Sequence, residues 1–269
     1  MSVRTPNDIS DWPDEEPLLR VSGLGKRFGT RAACRGISFC LWPGELLGVV
    51  GESGSGKTTL LNCVSARLPA DQGSIEYRQR DGRRVELSQL SEATRRRLAR
   101  TEWGFVHQNP RDGLRLDLSA GANIGERLMA VGARHYGEIR GQAAEWLSKV
   151  EIEAGRLDDV PRTFSGGMQQ RLQIARNLVS RPRLIFMDEP TGSLDVSVQA
   201  RLLDLLRGLC DELGLAAIVV THDLGVARLL AHRLLVLRGG VAVESGLTDQ
   251  VLDDPQHPYT QLLVSSMLQ

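Results

Sequence analysis

The nine residues Gly51, Glu52, Ser53, Gly54, Ser55, Gly56, Lys57, Thr58 and Thr59 constrain this chain more than any others. The apolar run Leu46-Leu-Gly-Val-Val50 precedes them, with the length and β-branched content of a buried strand. Leu60-Leu-Asn-Cys-Val-Ser-Ala66 follows and reads as the opening of a helix. Strand, G-x-x-x-x-G-K-T and helix in that order make a phosphate-binding loop. The glycines let successive N–H groups turn inward without a Cβ clash, forming an anion site at a helix N-terminus. Lys57 can then reach the β- and γ-phosphates of a nucleotide, and the Thr58 hydroxyl can ligate Mg²⁺. A Gly/Ser turn that happens to carry a lysine is the competing reading, and the flanking strand and helix argue against it.

Lysine usage sharpens the point. Of 33 basic residues only Lys26, Lys57 and Lys149 are lysines. Arginine serves wherever a generic positive charge suffices, whereas a compact ammonium between phosphates is a different requirement.

Two further stretches carry chemistry. Leu184-Ile-Phe-Met-Asp-Glu189 is an apolar strand ending in two carboxylates. In parallel sheets sites form at the carboxyl ends of strands. Asp188 is therefore expected in a Mg²⁺ shell and Glu189 as general base toward an attacking water. Thr163-Phe-Ser-Gly-Gly-Met-Gln-Gln-Arg171 places two glycines directly before a helix over Gln169 to Leu178, which makes a second anion site. One nucleotide needs only one cradle, so the second points to a nucleotide held by another subunit. An ordinary helix start capped by Ser165 is the alternative. His222 follows the apolar run Ala216 to Val220 and is a candidate contact to a γ-phosphate. Gln108, in Val106-His-Gln-Asn-Pro110, is a candidate sensor of the metal or the attacking water.

Strand signals fall at Leu18–Val21, Ile37–Leu41, Ser74–Tyr77, Val85–Leu87, Leu184–Met187, Ala216–Val220, Leu234–Leu237 and Val241–Val243. Character changes after Ser88: Ser91 to Arg100 and Gly121 to Val150 read as helical, charged and alanine-rich, with little strand signal. Helices are also expected at Val198–Leu213 and Gly225–His232. The expected division is an acidic, mobile tail over 1–17, a core of 18–87 and 166–250, a helical insertion over 88–165, and a C-terminal tail over 251–269. Acidic and basic residues balance at 33 each, which gives no support for nucleic-acid binding. Cys34, Cys40, Cys63 and Cys210 are scattered without ligand spacing and read as reduced thiols of a cytoplasmic protein. No run approaches the ~18 apolar residues of a membrane span.

In this order the motifs resemble the nucleotide-binding domain of the ATP-binding cassette (ABC) family, over essentially Leu18 to Gly246. The resemblance implies an α/β, P-loop NTPase fold with a RecA-like core, an antiparallel β subdomain and an inserted helical subdomain. Gly51 to Thr59 is similar to the Walker A motif, Gln108 to the Q-loop glutamine, and Leu184 to Glu189 to Walker B. Phe164-Ser165-Gly166-Gly167-Met168 resembles the signature motif, Ser193-Leu194-Asp195 the D-loop, and His222 the switch histidine. Phe28 matches the aromatic that stacks on adenine, where the family often has Tyr. Phe164 and Met168 depart from the commoner Leu and Gln. By this resemblance two subunits, identical or related, pack head to tail, with Ser165, Gly166, Gly167, Met168 and Asp195 facing the partner's nucleotide. ATP and Mg²⁺ are the implied cofactors, and Thr58, Gln108 and Asp188 the implied metal contacts.

Longer stretches narrow the branch. Asp254-Pro-Gln-His-Pro-Tyr-Thr-Gln-Leu-Leu263 resembles the tail of oligopeptide-transporter ATPases. Thr101 to Leu114, Gly121 to Gly137 and the closing Asp254 to Ser266 more closely resemble the ATP-binding subunits of carbon–phosphorus (C–P) lyase systems for phosphonate breakdown. That resemblance implies a soluble lyase core as partner and no membrane insertion; the alternative is the motor of an oligopeptide or nickel importer. Trp103, Phe105, His107, Arg111, Leu114 and Leu116 carry side chains of the kind enriched at interfaces. Trp103 and Phe105 also fit a buried strand, which leaves Arg111 and Arg115, in a polar Gly-containing loop, as the better partner contacts.

Overall fold

The computed structural model describes residues 16–192 and 194–266. The expected mobile tail lies almost wholly outside the described residues, as does Ser193 of the D-loop stretch. In chain order the elements are β1 (Leu19–Phe28), β2 (Arg31–Leu41), β3 (Leu46–Val50), α1 (Lys57–Val64), β4 (Gln72–Arg78), β5 (Arg84–Glu86) and α2 (Glu92–Thr101). They continue with β6 (Trp103–Val106), α3 (Ala120–Ala130), α4 (Tyr136–Lys149), α5 (Gly166–Leu178), β7 (Leu184–Asp188) and α6 (Val196–Leu213). The rest are β8 (Ala216–Val220), α7 (Leu224–Leu230), β9 (Arg233–Arg238), β10 (Val241–Leu247), α8 (Thr248–Asp253) and α9 (Pro258–Ser265). The described residues form two compact units, one from the part of the chain up to Arg95 together with the part from Ala216 on, the other from Arg96–Leu215.

In the first unit, β2, β1, β4 and β5 make an antiparallel sheet. A second set runs β10, β9, β3, β8, with β3 parallel to both β8 and β9. Every residue of β3 and β8 is buried. That is why both read in the sequence as unbroken apolar runs, the mark of parallel strands covered on both faces. Residues 251–266, set apart in the sequence as a tail, hold two helices in this unit. Val251, Leu252 and Tyr259 are buried with Val50, Leu224, Leu234 and Val236, each large apolar side chain contributing about 1.5–3 kcal/mol by burial. The Asp-Pro-Gln-His-Pro-Tyr stretch is the joint between α8 and α9. The Glu244 carboxylate accepts from Gln256 N (2.8 Å) and His257 N (3.0 Å), and His257 Nδ1 accepts from Tyr259 N (3.1 Å) to cap α9.

In the second unit, β6 and β7 pair in parallel from Trp103↔Leu184 to Val106↔Met187. β6 is the strand that the alternation of Trp103 and Phe105 fits in the sequence, set between the helical stretches Ser91–Arg100 and Gly121–Val150. Trp103 is a core residue and not a partner contact: it is buried and meets Phe186 edge-on at 5.9 Å. Phe105, half-buried, lies 6.3 Å from Phe186 and 4.7 Å from His107. Helices α3, α4 and α5 bury Ile124, Leu128, Ala143, Leu147 and Leu172.

Candidate nucleotide site

In the first unit the loop leaves β3 at Gly51 and enters α1 at Lys57. Gly51 (φ 147°) and Gly56 (φ 106°) occupy backbone conformations that L side chains rarely adopt. A Cβ on Gly51 would stand 2.2 Å from Leu237 O, and one on Gly56 would stand 2.2 Å from Ala33 O. Both glycines are therefore required by close backbone approach as well as by φ. Lys57 is buried, and its Nζ donates to Gly51 O and Glu52 O, both at 2.8 Å. The ammonium is thus curled within its own loop. Ser55 Oγ is buried with no hydrogen-bond partner among the described residues, a cost a native fold rarely carries without a use. Thr58 is exposed at the first turn of α1. A loop closed around glycines, a buried ammonium and an unsatisfied hydroxyl fits a polyphosphate.

Neighbouring residues finish this cradle. Arg31 Nη2 reaches Gly54 O at 3.3 Å. The Tyr259 hydroxyl accepts from Glu52 N at 2.9 Å, with the Arg238 guanidinium over its ring at 4.9 Å. The Cys34 thiol lies 3.9 Å from Gly56 O, and burial first, then neighbouring Cys63, push it up to about 12. It is a neutral thiol against the loop, not a nucleophile. Phe28 ends β1 about half exposed, with Lys26 Nζ 5.8 Å from its ring centre. Asp71 holds that ammonium at 2.7 Å, and this hydrogen bond lowers the Asp71 carboxyl below its ordinary value. His222 is exposed beyond the carboxyl end of β8. The next residue, Asp223, caps α7 by accepting from Gly225 N (2.8 Å) and Val226 N (3.2 Å).

In the second unit Asp188 ends β7, and Glu189 follows in the left-handed region at φ 44°. A non-glycine residue there costs about 1–3 kcal/mol, and such strain gathers at functional sites. Gln108 Nε2 donates to Glu189 Oε2 at 2.9 Å. The contact follows from strand register: β6 and β7 pair with an offset of 81, and 189 − 108 is also 81. Two sequence candidates from different motifs are thereby brought together.

Gly166 and Gly167 are the first two residues of α5, so the helix starts three residues ahead of the expected Gln169. Ser165 is the N-cap, its Oγ accepting from Met168 N at 3.3 Å. A Cβ on Gly166 would meet nothing within 4 Å, so the helix end is open there. Phe164 and Met168 have a shared partner that sequence reasoning missed. The Arg156 guanidinium lies 4.5 Å from the Phe164 ring centre, and Arg156 Nη1 is 3.4 Å from Met168 Sδ. Asp159 fixes Arg156 through Nε at 2.7 Å. Asp195 is exposed at the start of α6, and its carboxylate makes no capping bond.

Gln170, Gln173 and Asn177 were also missed. They are buried on one face of α5. Their spacing of three and four was the available signal, since it stacks polar side chains along a single stripe.

Comparison with known proteins gives one consistent result. The profile of the ABC transporter family matches residues 34–192. An Escherichia coli (strain K12) ATP-binding protein named for phosphonates utilization, PhnK, is 68% identical over 94% of this chain and 99% of its own length. A Brucella melitensis ATP-binding protein named for peptide import is 38% identical over 94% of this chain and 78% of its own. Among solved structures, the dimeric post-hydrolysis state of the ATP-binding cassette MJ0796, bound to ADP and Pi, superposes with a TM-score of 0.76. It is 30% identical and covers 86% of this chain and 98% of its own. CbiO1 of Clostridium perfringens, part of an ABC transporter complex, superposes with a TM-score of 0.77 at 26% identity, covering 89% and 92%.

Proposed function

Because the chain belongs to the ABC family and is an ATPase of that family, we propose that it works as a head-to-tail dimer whose ATP hydrolysis drives a soluble C–P lyase complex in phosphonate breakdown. The support is the 68% identity, spanning almost the whole of a relative named for phosphonates utilization. The relative named for peptide import is far less similar, and among the described residues no helix is long and apolar enough to cross a membrane. An importer motor is the competing assignment.

The proposed roles follow from the chemistry of each group. Phe28 offers a face to adenine. Gly51 to Thr59 cradle the phosphates, with Lys57 leaving its loop carbonyls for the β- and γ-oxygens. Thr58, Gln108 and Asp188 supply hydroxyl, amide and carboxylate oxygens, the hard donors that suit Mg²⁺, and bound Mg²⁺ would neutralise charge on the phosphates. Gln108 spends its Nε2 on Glu189, which leaves Oε1 for the metal. Glu189 takes the proton of the attacking water as general base, and His222 donates toward the γ-phosphate. Ser165, Gly166, Gly167, Met168 and Asp195 act on the nucleotide of the partner subunit.

Arg111 and Arg115 are the proposed contacts to the lyase core. Both are exposed, and Arg115 pairs with Glu126 at 3.1 Å while its side chain stays 60% accessible. Affinity purification from phosphate-starved cells tests the reading. The wild-type chain should co-elute with lyase subunits. Arg111→Glu with Arg115→Glu should keep its fold and ATP affinity, yet lose that capture and growth on a phosphonate as sole phosphorus source. Capture of an oligopeptide permease by the wild type would favour the importer instead.

A further inference from the structure

The side of β6 turned away from β7 is paired by side chains. Arg127 Nη2 donates to Trp103 O at 2.6 Å. Asn177 brackets Phe105, with Oδ1 accepting from its N and Nδ2 donating to its O, both at 3.0 Å. Gln173 does the same one step on: Oε1 accepts from His107 N at 2.7 Å and Nε2 donates to His107 O at 3.2 Å. Gln170 Nε2 also reaches His107 O (3.3 Å) and, more closely, Pro190 O (2.8 Å), while Gln170 Oε1 accepts from Gln173 Nε2 at 3.1 Å. Gln170 and Gln173 are 1% and 0% exposed. Amides this deep cost free energy unless every donor and acceptor is paired. A side-chain amide carries an acceptor oxygen and donor N–H groups side by side, so it can serve the backbone N–H and C=O of one residue together.

The residues held are informative. His107 immediately precedes Gln108, and Pro190 immediately follows Glu189. Gln170 and Gln173 thus grip one flank of each member of the Gln108–Glu189 pair, from a single turn of α5. We propose that Gln170 and Gln173 are positioning residues that hold Gln108 against Glu189, so that this pair depends on α5, the helix that begins at Ser165–Met168. The inference rests on the proposed role of Glu189 as base. Apolar side chains of like size would fill the volume but remove these bonds to His107 N and O, and the Gln108 segment would then sample positions away from Glu189.

The test uses Gln173→Met and Gln170→Met in the full chain, Met being close in size and unbranched. In the nucleotide-free protein, hydrogen exchange of the His107 amide should rise at least about tenfold in Gln173→Met while β7 amides stay protected. With Mg-ATP the Kd should stay within about twofold and kcat should fall about tenfold, the loss expected for roughly one hydrogen bond's worth of ordering. In a Gln108→Ala background the same substitution should cost less than about twofold, because the group it positions is gone. Unchanged exchange at His107, or a kcat loss that adds in full on Gln108→Ala, overturns the proposal. Gln170→Met repeats the cycle from the Pro190 side, so one poorly folding variant does not decide the matter. Wild-type turnover in Glu189→Gln would overturn the reading of the site itself. A large loss there with additive Gln173→Met would remove only the clamp.

Discussion

Glu189→Gln separates chemistry from architecture at this site. The substitution keeps length, volume and the left-handed backbone at φ 44°, so the local strain is the same before and after. It removes a charge that accepts a hydrogen bond from Gln108 Nε2 at 2.9 Å. An amide oxygen at the same place still accepts, so only the charge-assisted part of that bond is lost. For an exposed donor such as Gln108 this is about 0.5–1 kcal/mol. At roughly 2–4 °C per kcal/mol for a chain of this size, the Tm should fall by no more than about 4 °C. Loss of a general base costs ~10²–10⁴ in rate, or about 2.7–5.4 kcal/mol on the barrier. Phosphate release at saturating Mg-ATP should thus fall by at least about a hundredfold, with ATP affinity unchanged and an ATP-bound dimer accumulating on gel filtration. Turnover within about threefold of wild type would refute the assignment of Glu189. An equal loss of affinity and turnover would show that the side chain binds and does not act as base.

Three other outcomes follow from the geometry. Gly56→Ala should cost about 2–6 kcal/mol, from a strained φ together with a Cβ 2.2 Å from Ala33 O; thermal melts should show it, and ATP titration should lose binding. A mixed dimer of Ser165→Arg with Lys57→Ala chains should retain one intact composite site by equilibrium titration, since both lesions fall in the other; two ruined sites would mean that each chain completes its own. The thiols give a pH dependence: burial raises Cys40 and Cys63 to about 11 and Cys34 and Cys210 to about 12. Unfolded thiols ionise near 8.5, so the unfolded chain loses protons first as pH rises, and stability should fall from about pH 8.5 through about pH 11 to about pH 12. Urea melts that show no decline over that window would contradict the burial of these thiols.

What could be read from the residues, and what could not, divides along physical lines. Leu46–Val50 and Ala216–Val220 were legible to the residue because a strand covered on both faces has no polar alternation to blur its ends. Helix starts were less so. α1 begins at Lys57 and not at Leu60, because the loop's lysine is itself the first helical residue. The pairing of Gln108 with Glu189 needed a strand register that no local pattern encodes. Nothing in the sequence pairs Gln170, Gln173 and Asn177 with the segment after Trp103, where their amides replace a neighbouring strand. Arg156 explains Phe164 and Met168 only once the chain has folded back on itself.

The Tyr259–Glu52 hydrogen bond bears on how the protein is made. Its partners lie 207 positions apart. At about 5–20 residues per second the ribosome needs about 10–40 s between adding one and adding the other. The loop Gly51–Thr59 is among the first parts of the core to be synthesised, yet the hydroxyl that fixes its Glu52 amide, and the strand β9 that flanks β3, are among the last. A nascent chain therefore carries this whole loop for many seconds without the walls that shape it, and its folded geometry waits on the end of synthesis.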